Sequence, residues 1–122
     1  MYQISVKQHF DAAHALRGYK GKCESLHGHR FEVVVTIQAK ELNEIGIAYD
    51  FLELKSHLSE ILAKFDHVSL NDVSPFDKIN PSSENIARIV YQELKAKLAA
   101  ALVTLTSIDV WESPENCIRY TP

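Results

Sequence analysis

The chain has 122 residues, 46% hydrophobic and 24% charged, a balance that fits one domain with one apolar core and excludes an intrinsically disordered polymer. Thirteen Lys and Arg against sixteen Asp and Glu leave a net charge of -3, with no global positive field, so nucleic acid is not an expected partner. The longest apolar runs, Val33 to Val35 and Ala99 to Val103, fall far short of the ~18–20 residues that cross a bilayer, and no membrane segment is expected.

The N-terminal residues Tyr2 to Gln8 alternate apolar and polar side chains, as a half-buried strand does. They lack the basic-then-apolar layout of a secretory leader, which makes the cytoplasm the expected compartment. Two glycines and three basic residues in Arg17 to Cys23 predict an exposed loop that carries Cys23. A second strand opens in Leu26 to Phe31 and continues through Val33, Val35, Ile37 and Ala39 with period two. The period then changes. Phe51, Leu54, Leu58, Ile61, Leu62 and Phe65 form one helical stripe, and Ile86, Ile89, Val90, Leu94 and Leu98 form another. The second begins after Pro81-Ser82-Ser83-Glu84, where a serine caps free amides and the glutamate suits the positive helix end. Val68 to Asn80 reads as a loop, Leu105 to Trp111 as a strand, Ser113 to Asn116 as a turn and Cys117 to Tyr120 as a last strand. Residues 1–122 therefore read as one β-β-α-α-β-β domain of the α+β class, with helices on one face of the sheet.

Two cysteines, Cys23 and Cys117, are too few for a disulfide framework and are expected as free thiols, Cys117 as a small core residue. The histidines carry more information. Alternation along a strand sends His27 and His29 to the same face, and His14, just after the first strand, joins them if the two strands pair antiparallel. Three imidazoles without a fourth protein ligand describe a catalytic zinc site with one open position. Cys23 lies four residues before His27, near Lys20 and Lys22, where a lowered thiol pKa suits a base or nucleophile; it could equally close the coordination sphere as a fourth ligand. Asp66-His67 at the end of the first helix could pair, although adjacency alone favours a surface reading. Glu112, ending an apolar strand, suits the neighbouring N–H donors of an amino-pyrimidinone. His9 and His57 read as surface residues.

Together these residues resemble the 6-pyruvoyl-tetrahydropterin synthase and 6-carboxytetrahydropterin synthase family. The resemblance runs from Phe10-Asp11-Ala12-Ala13-His14 through Cys23-x-x-x-His27-Gly28-His29, Tyr49-Asp50-Phe51, Asp66-His67-x-x-Leu70-Asn71 and Pro81-Ser82-Ser83-Glu84-Asn85 to Trp111-Glu112-Ser113. It implies a tunnelling fold, with a four-stranded antiparallel sheet per subunit and subunits joined edge to edge into a barrel, as a trimer or hexamer with active sites at the interfaces. It implies that His14, His27 and His29 hold Zn2+ and that Cys23 accepts a proton. His67, oriented by Asp66, then relays protons to that thiol, and Glu112 anchors the pterin of a 7,8-dihydroneopterin triphosphate substrate and takes part in proton relay. The spacing of Cys23 from His27 resembles that of the bacterial 6-carboxy-5,6,7,8-tetrahydropterin synthases, whose products are 6-carboxytetrahydropterin, acetaldehyde and triphosphate, used for queuosine and other deazapurines. Glu24, three residues before His27, resembles variants that release 6-hydroxymethyl-dihydropterin for folate synthesis, and the pyruvoyl-forming activity is a further alternative. Arg17, Lys20, Lys22, Lys78 and Arg119 are candidate triphosphate cations. Outside the family, the same residues allow a non-catalytic metal- or pterin-binding module, or a metal-free hydrolase using Cys23 and His67.

Overall fold

A computed structural model describes residues 1–122. Its elements in chain order are strand β1 (Tyr2–His14), strand β2 (His27–Ala39), helix α1 (Phe51–Leu62), strand β3 (Val68–Ser69), helix α2 (Ser83–Lys97), strand β4 (Thr104–Trp111) and strand β5 (Cys117–Tyr120). The sheet order is β3-β1-β2-β4-β5. Only the β3–β1 pairing is parallel; the others are antiparallel. The expected α+β architecture is present, with two corrections at the β1 end.

The first correction concerns β1, which runs to His14 rather than ending near Gln8. The alternation in fact continues through Phe10, Ala12 and His14, all buried on one face, although the small Ala12-Ala13 pair weakens the pattern in sequence. The second concerns the Val68 to Asn80 connection. Val68 and Ser69 pair with Ala12 and Ala13 as a fifth strand, and Leu70 to Asp72 form a turn of 3-10 helix anchored by the fully buried Leu70. Two residues are too few to show a period, so this strand has no signature in the sequence.

The two long strands form an uninterrupted ladder from Tyr2↔Ala39 to His14↔His27. One face of it carries Ile4, Val6, Phe10, Ala12, Phe31, Val33, Val35 and Ile37 into the core, where the apolar stripes of both helices cover it. The opposite face is polar and laced with pairs, including Lys7 with Glu32 at 3.0 Å, Arg30 with Asp11 at 2.9 Å and a 2.9 Å hydrogen bond between Ser5 and Thr36. The helices start where short polar side chains accept free amides: Asp50 from Leu52 at 2.8 Å and Ser82 from Asn85 at 3.2 Å. Helix α1 ends at Leu62 rather than near Phe65, but Phe65 stays fully buried and packs tilted against Phe10.

Phe10 and Phe31, neighbours across β1 and β2, stack with ring centroids 4.9 Å apart and planes 13° from parallel. The stack lies next to the histidine end of the ladder. His14 and His29 both meet Phe31 edge-on, at 5.2 Å and 5.6 Å between centroids. A rigid aromatic floor therefore limits how far the imidazoles can turn.

Candidate metal centre and active site

His14 and His27 face each other as the last pair of the β1–β2 ladder, and His29 lies opposite Ala12 on the same side. Glu112 follows Trp111, which pairs with Glu32, so it emerges one residue past the β2–β4 ladder and points to the histidine side by alternation. Its backbone N–H donates to the Asn116 carbonyl at 3.1 Å, closing the expected Ser113 to Asn116 turn and holding the strand end in place. The ligand atoms of His14, His27, His29 and Glu112 consequently lie within 4.8 Å of one another.

Backbone carbonyls set which imidazole nitrogens face this centre. His14 Nδ1 donates to the Pro81 carbonyl at 2.7 Å, and His27 Nδ1 donates to the Ser25 carbonyl at 2.7 Å. A carbonyl can only accept, so in the neutral imidazoles the Nε2 lone pairs are left free. His29 Nε2 is buried without a hydrogen-bond partner, and burial holds the His29 imidazole below its ordinary pKa, against the opposing pull of Glu112. Glu112 Oε1 stands 3.2 Å from His14 Nε2 and 3.0 Å from His29 Nε2. A His14 Nε2 lone pair facing a carboxylate at that distance is repelled unless a cation or proton lies between them. The donor set therefore fits a divalent metal: neutral nitrogens, one carboxylate oxygen and carbonyls that orient two of the three rings. Glu112, expected from the sequence as pterin anchor and proton-relay group, stands within this same group.

Cys23 lies outside this group, half-buried in one turn of 3-10 helix, Lys22–Glu24, within the connection between β1 and β2. Asp66 and His67 lie apart from it too, beside Asp11 on the β1 edge. Here the chain does turn back. His67 adopts a left-handed conformation with φ 58°, and its N–H donates to the Asp11 carbonyl at 2.6 Å. That fold-back brings His67 Nδ1 to 2.9 Å from Asp66 Oδ2. Asp66 Oδ1 accepts the Asp11 N–H at 2.9 Å, and the Asp11 carboxylate binds Arg30 Nε at 2.9 Å. Adjacency in sequence could not reveal this pairing, because it depends on one backbone dihedral.

The Asp11 N–H, and after it the His67 imidazole, hold the Asp66 carboxyl below 3.8. Arg30 does the same for Asp11. Each carboxylate binds protons less readily in the folded chain, so its stabilising contribution is present above about 3.8 and is lost as pH falls from there through the folded value. A residue-resolved carboxyl NMR titration should place both midpoints below 3.8, and Arg30→Ala should raise that of Asp11 towards 3.8. A folded-state Asp66 midpoint at or above 3.8 would contradict the geometry.

Several expectations need correction. Cys117 is exposed at the start of the edge strand β5 rather than in the core, because that strand is covered on one side only. Arg119 is engaged by Asp109, with Nε–Oδ1 at 2.7 Å and Nη2–Oδ2 at 2.9 Å, and Arg17 Nη2 donates to the Phe76 carbonyl. Lys20, Lys22 and Lys78 are exposed and make no ion pair. His9 is an exposed strand residue, and His57 lies 3.9 Å from Glu53 one helical turn away.

Comparison with known proteins settles the family. The family profile described as 6-pyruvoyl tetrahydropterin synthase matches residues 3–122. The chain belongs to this family. A 6-carboxy-5,6,7,8-tetrahydropterin synthase of Synechocystis is 34% identical over 98% of this chain and 93% of that protein. A dihydroneopterin monophosphate aldolase of Pyrococcus furiosus is 33% identical over 93% of this chain and 91% of that protein. Among solved structures, the 6-pyruvoyl tetrahydropterin synthase of Caenorhabditis elegans superposes with a TM-score of 0.88 at 27% identity, covering 99% of this chain and 95% of that one. The fold is the tunnelling fold, and pterin-type lyase chemistry is the family's common ground. Near-equal identity to a synthase and an aldolase leaves the choice of product to the residues of the site.

Proposed function

We propose that the protein is a zinc-dependent 6-carboxy-5,6,7,8-tetrahydropterin synthase. It would convert 7,8-dihydroneopterin triphosphate and water to 6-carboxytetrahydropterin, acetaldehyde and triphosphate. The observation that carries this reading is the convergence of His14, His27, His29 and Glu112 at the end of a strand pair whose connection holds Cys23. When bound by those imidazoles, a dication supplies Lewis acidity that makes the carbons next to the substrate's side-chain hydroxyls easier to deprotonate.

The remaining work falls to the chain's own groups. Cys23, half-buried in its loop, takes a proton from the substrate side chain. Glu112 is half-buried, with one oxygen beside His14 and His29; its carboxylate suits the adjacent N–H donors of the pterin's amino-pyrimidinone edge. His67, held by Asp66, passes protons to and from the thiol. Because Asp66 and His67 form a cluster separate from the histidine centre, this role places them in the site of a neighbouring copy. The sheet offers edges for such an assembly. β1 pairs with no strand from Tyr2 to Phe10 on its outer side, and neither does the outer side of β5; joining them in a trimeric or hexameric ring would remove both edges. No helix is long and apolar enough to cross a membrane, which accords with a cytoplasmic enzyme feeding deazapurine synthesis such as that of queuosine.

A second reading has its own support. Glu24 neighbours Cys23, and the aldolase relative is almost as similar as the synthase. Product analysis separates them. Zinc-loaded protein incubated with 7,8-dihydroneopterin triphosphate is expected to give acetaldehyde and 6-carboxytetrahydropterin by mass spectrometry. Release of 6-hydroxymethyl-dihydropterin instead would establish the second reading, and an unaltered pterin would reject both.

A further inference from the structure

The connection between β1 and β2, residues 15–26, is exposed over most of its length and contains two glycines in left-handed or extended-positive conformations, Gly18 at φ 81° and Gly21 at φ 145°. Such a segment would ordinarily be mobile, yet it carries the thiol on which the proposed chemistry depends. One hydrogen bond crosses its neck, from the Leu16 N–H to the Cys23 carbonyl at 2.8 Å. The position of Cys23 therefore depends on what holds Leu16.

We infer that Asn71 and Asn80 are positioning residues for Cys23, acting through the backbone of Ala15, Leu16 and Arg17; the inference rests on the reading of Cys23 as a reacting group. Asn71 Oδ1 accepts the Ala15 N–H at 2.8 Å while its Nδ2 donates to the Ala15 carbonyl at 2.9 Å. Asn80 repeats the arrangement on Arg17, with 2.9 Å for both bonds. Each side-chain amide thus satisfies both backbone groups of one residue, as a strand neighbour would, and the two clamps flank Leu16 on either side. An amide is required for this. A carboxylate offers no donor to the carbonyl, and an alkyl group satisfies neither backbone group.

The clamps are themselves anchored. Asn71 follows the fully buried Leu70 in its short 3-10 turn, and the Asn80 carbonyl accepts Asn85 Nδ2, from the first turn of α2, at 2.8 Å. The next carbonyl along, that of Pro81, is the one that orients His14. The stretch from Leu70 to Pro81 therefore references both the thiol loop and the first imidazole to the same helix and core. No sequence pattern marks these asparagines as a pair, because their partners are backbone atoms some sixty residues away.

The test uses the intact, zinc-loaded protein with Asn71→Asp and, separately, Asn80→Asp, the latter on the more exposed clamp and so the milder change for folding. Site-resolved iodoacetamide labelling across a pH series reads Cys23, with the exposed Cys117 as an internal reference. In both variants Cys23 labelling should rise several-fold at every pH of the series. Cys117 labelling and zinc content should stay unchanged. Turnover should fall about 10- to 100-fold in kcat with KM little altered, as expected when a reacting group is displaced rather than removed. An unchanged Cys23 profile in both variants would overturn the inference, and so would Cys23 and Cys117 changing in step, which would indicate general loosening. If Cys23→Ala retains turnover, the reading of Cys23 as a reacting group fails, and the labelling profiles still decide the clamp.

Discussion

Cys23→Ala should abolish most turnover while leaving the metal in place. The thiol lies outside the group formed by His14, His27, His29 and Glu112, so its removal takes nothing from the donor set. A positioned acid–base group contributes roughly 10²- to 10⁴-fold, and a loss of that size in kcat is expected, with about one zinc ion per chain retained in metal analysis. Cys23→Ser should recover little, because a hydroxyl at neutral pH is far harder to ionise than a thiol. A variant that loses zinc together with activity would make Cys23 a ligand, and the site would then be closed and structural.

Removing an imidazole should act differently, and differently at each position. His14 is 1% exposed, and its Nδ1 satisfies the buried Pro81 carbonyl. His14→Ala should therefore lose zinc and also destabilise the metal-free protein, through an orphaned carbonyl costing about 1–3 kcal/mol and the void beside Phe31. His27 is only half-buried, and its carbonyl partner, Ser25, lies in the exposed connection where water can replace it. His27→Ala should lose zinc with a much smaller change in metal-free stability. Urea denaturation in excess chelator, alongside metal analysis of the purified variants, separates the two effects. Equal denaturation midpoints for both variants would contradict the role assigned to Pro81.

Much of this arrangement is visible in the sequence because it follows from side-chain alternation. His27 and His29 share a face for the same reason that Val33, Val35 and Ile37 do; of the helical stripes, Leu54, Leu58, Ile61 and Leu62 and then Ile86, Val90 and Leu94 are buried as expected, whereas Phe51 is exposed at the start of α1 and Ile89 only half-buried. What remains hidden depends on tertiary contacts or on single dihedrals. The Asp66–His67 pair exists because His67 is left-handed, and β3 exists because Val68 meets an already formed β1 edge. The carbonyls of Ser25 and Pro81 leave no trace in residue identity, since every residue has one. The exposure of Cys117 is not legible from its place in a strand, where alternation tells which residues share a face but not whether that face is covered.

The unbroken β1–β2 ladder has a consequence for how the chain reaches its working form. Slippage by a single rung anywhere between Tyr2↔Ala39 and His14↔His27 would turn both β2 imidazoles to the sheet's opposite side, away from His14. A misaligned hairpin would thus be unable to chelate. Any dication that this end of the hairpin captures would bind the correctly aligned chain alone and draw the population towards it, so the ion would act as a proofreader of strand alignment as well as a participant in chemistry.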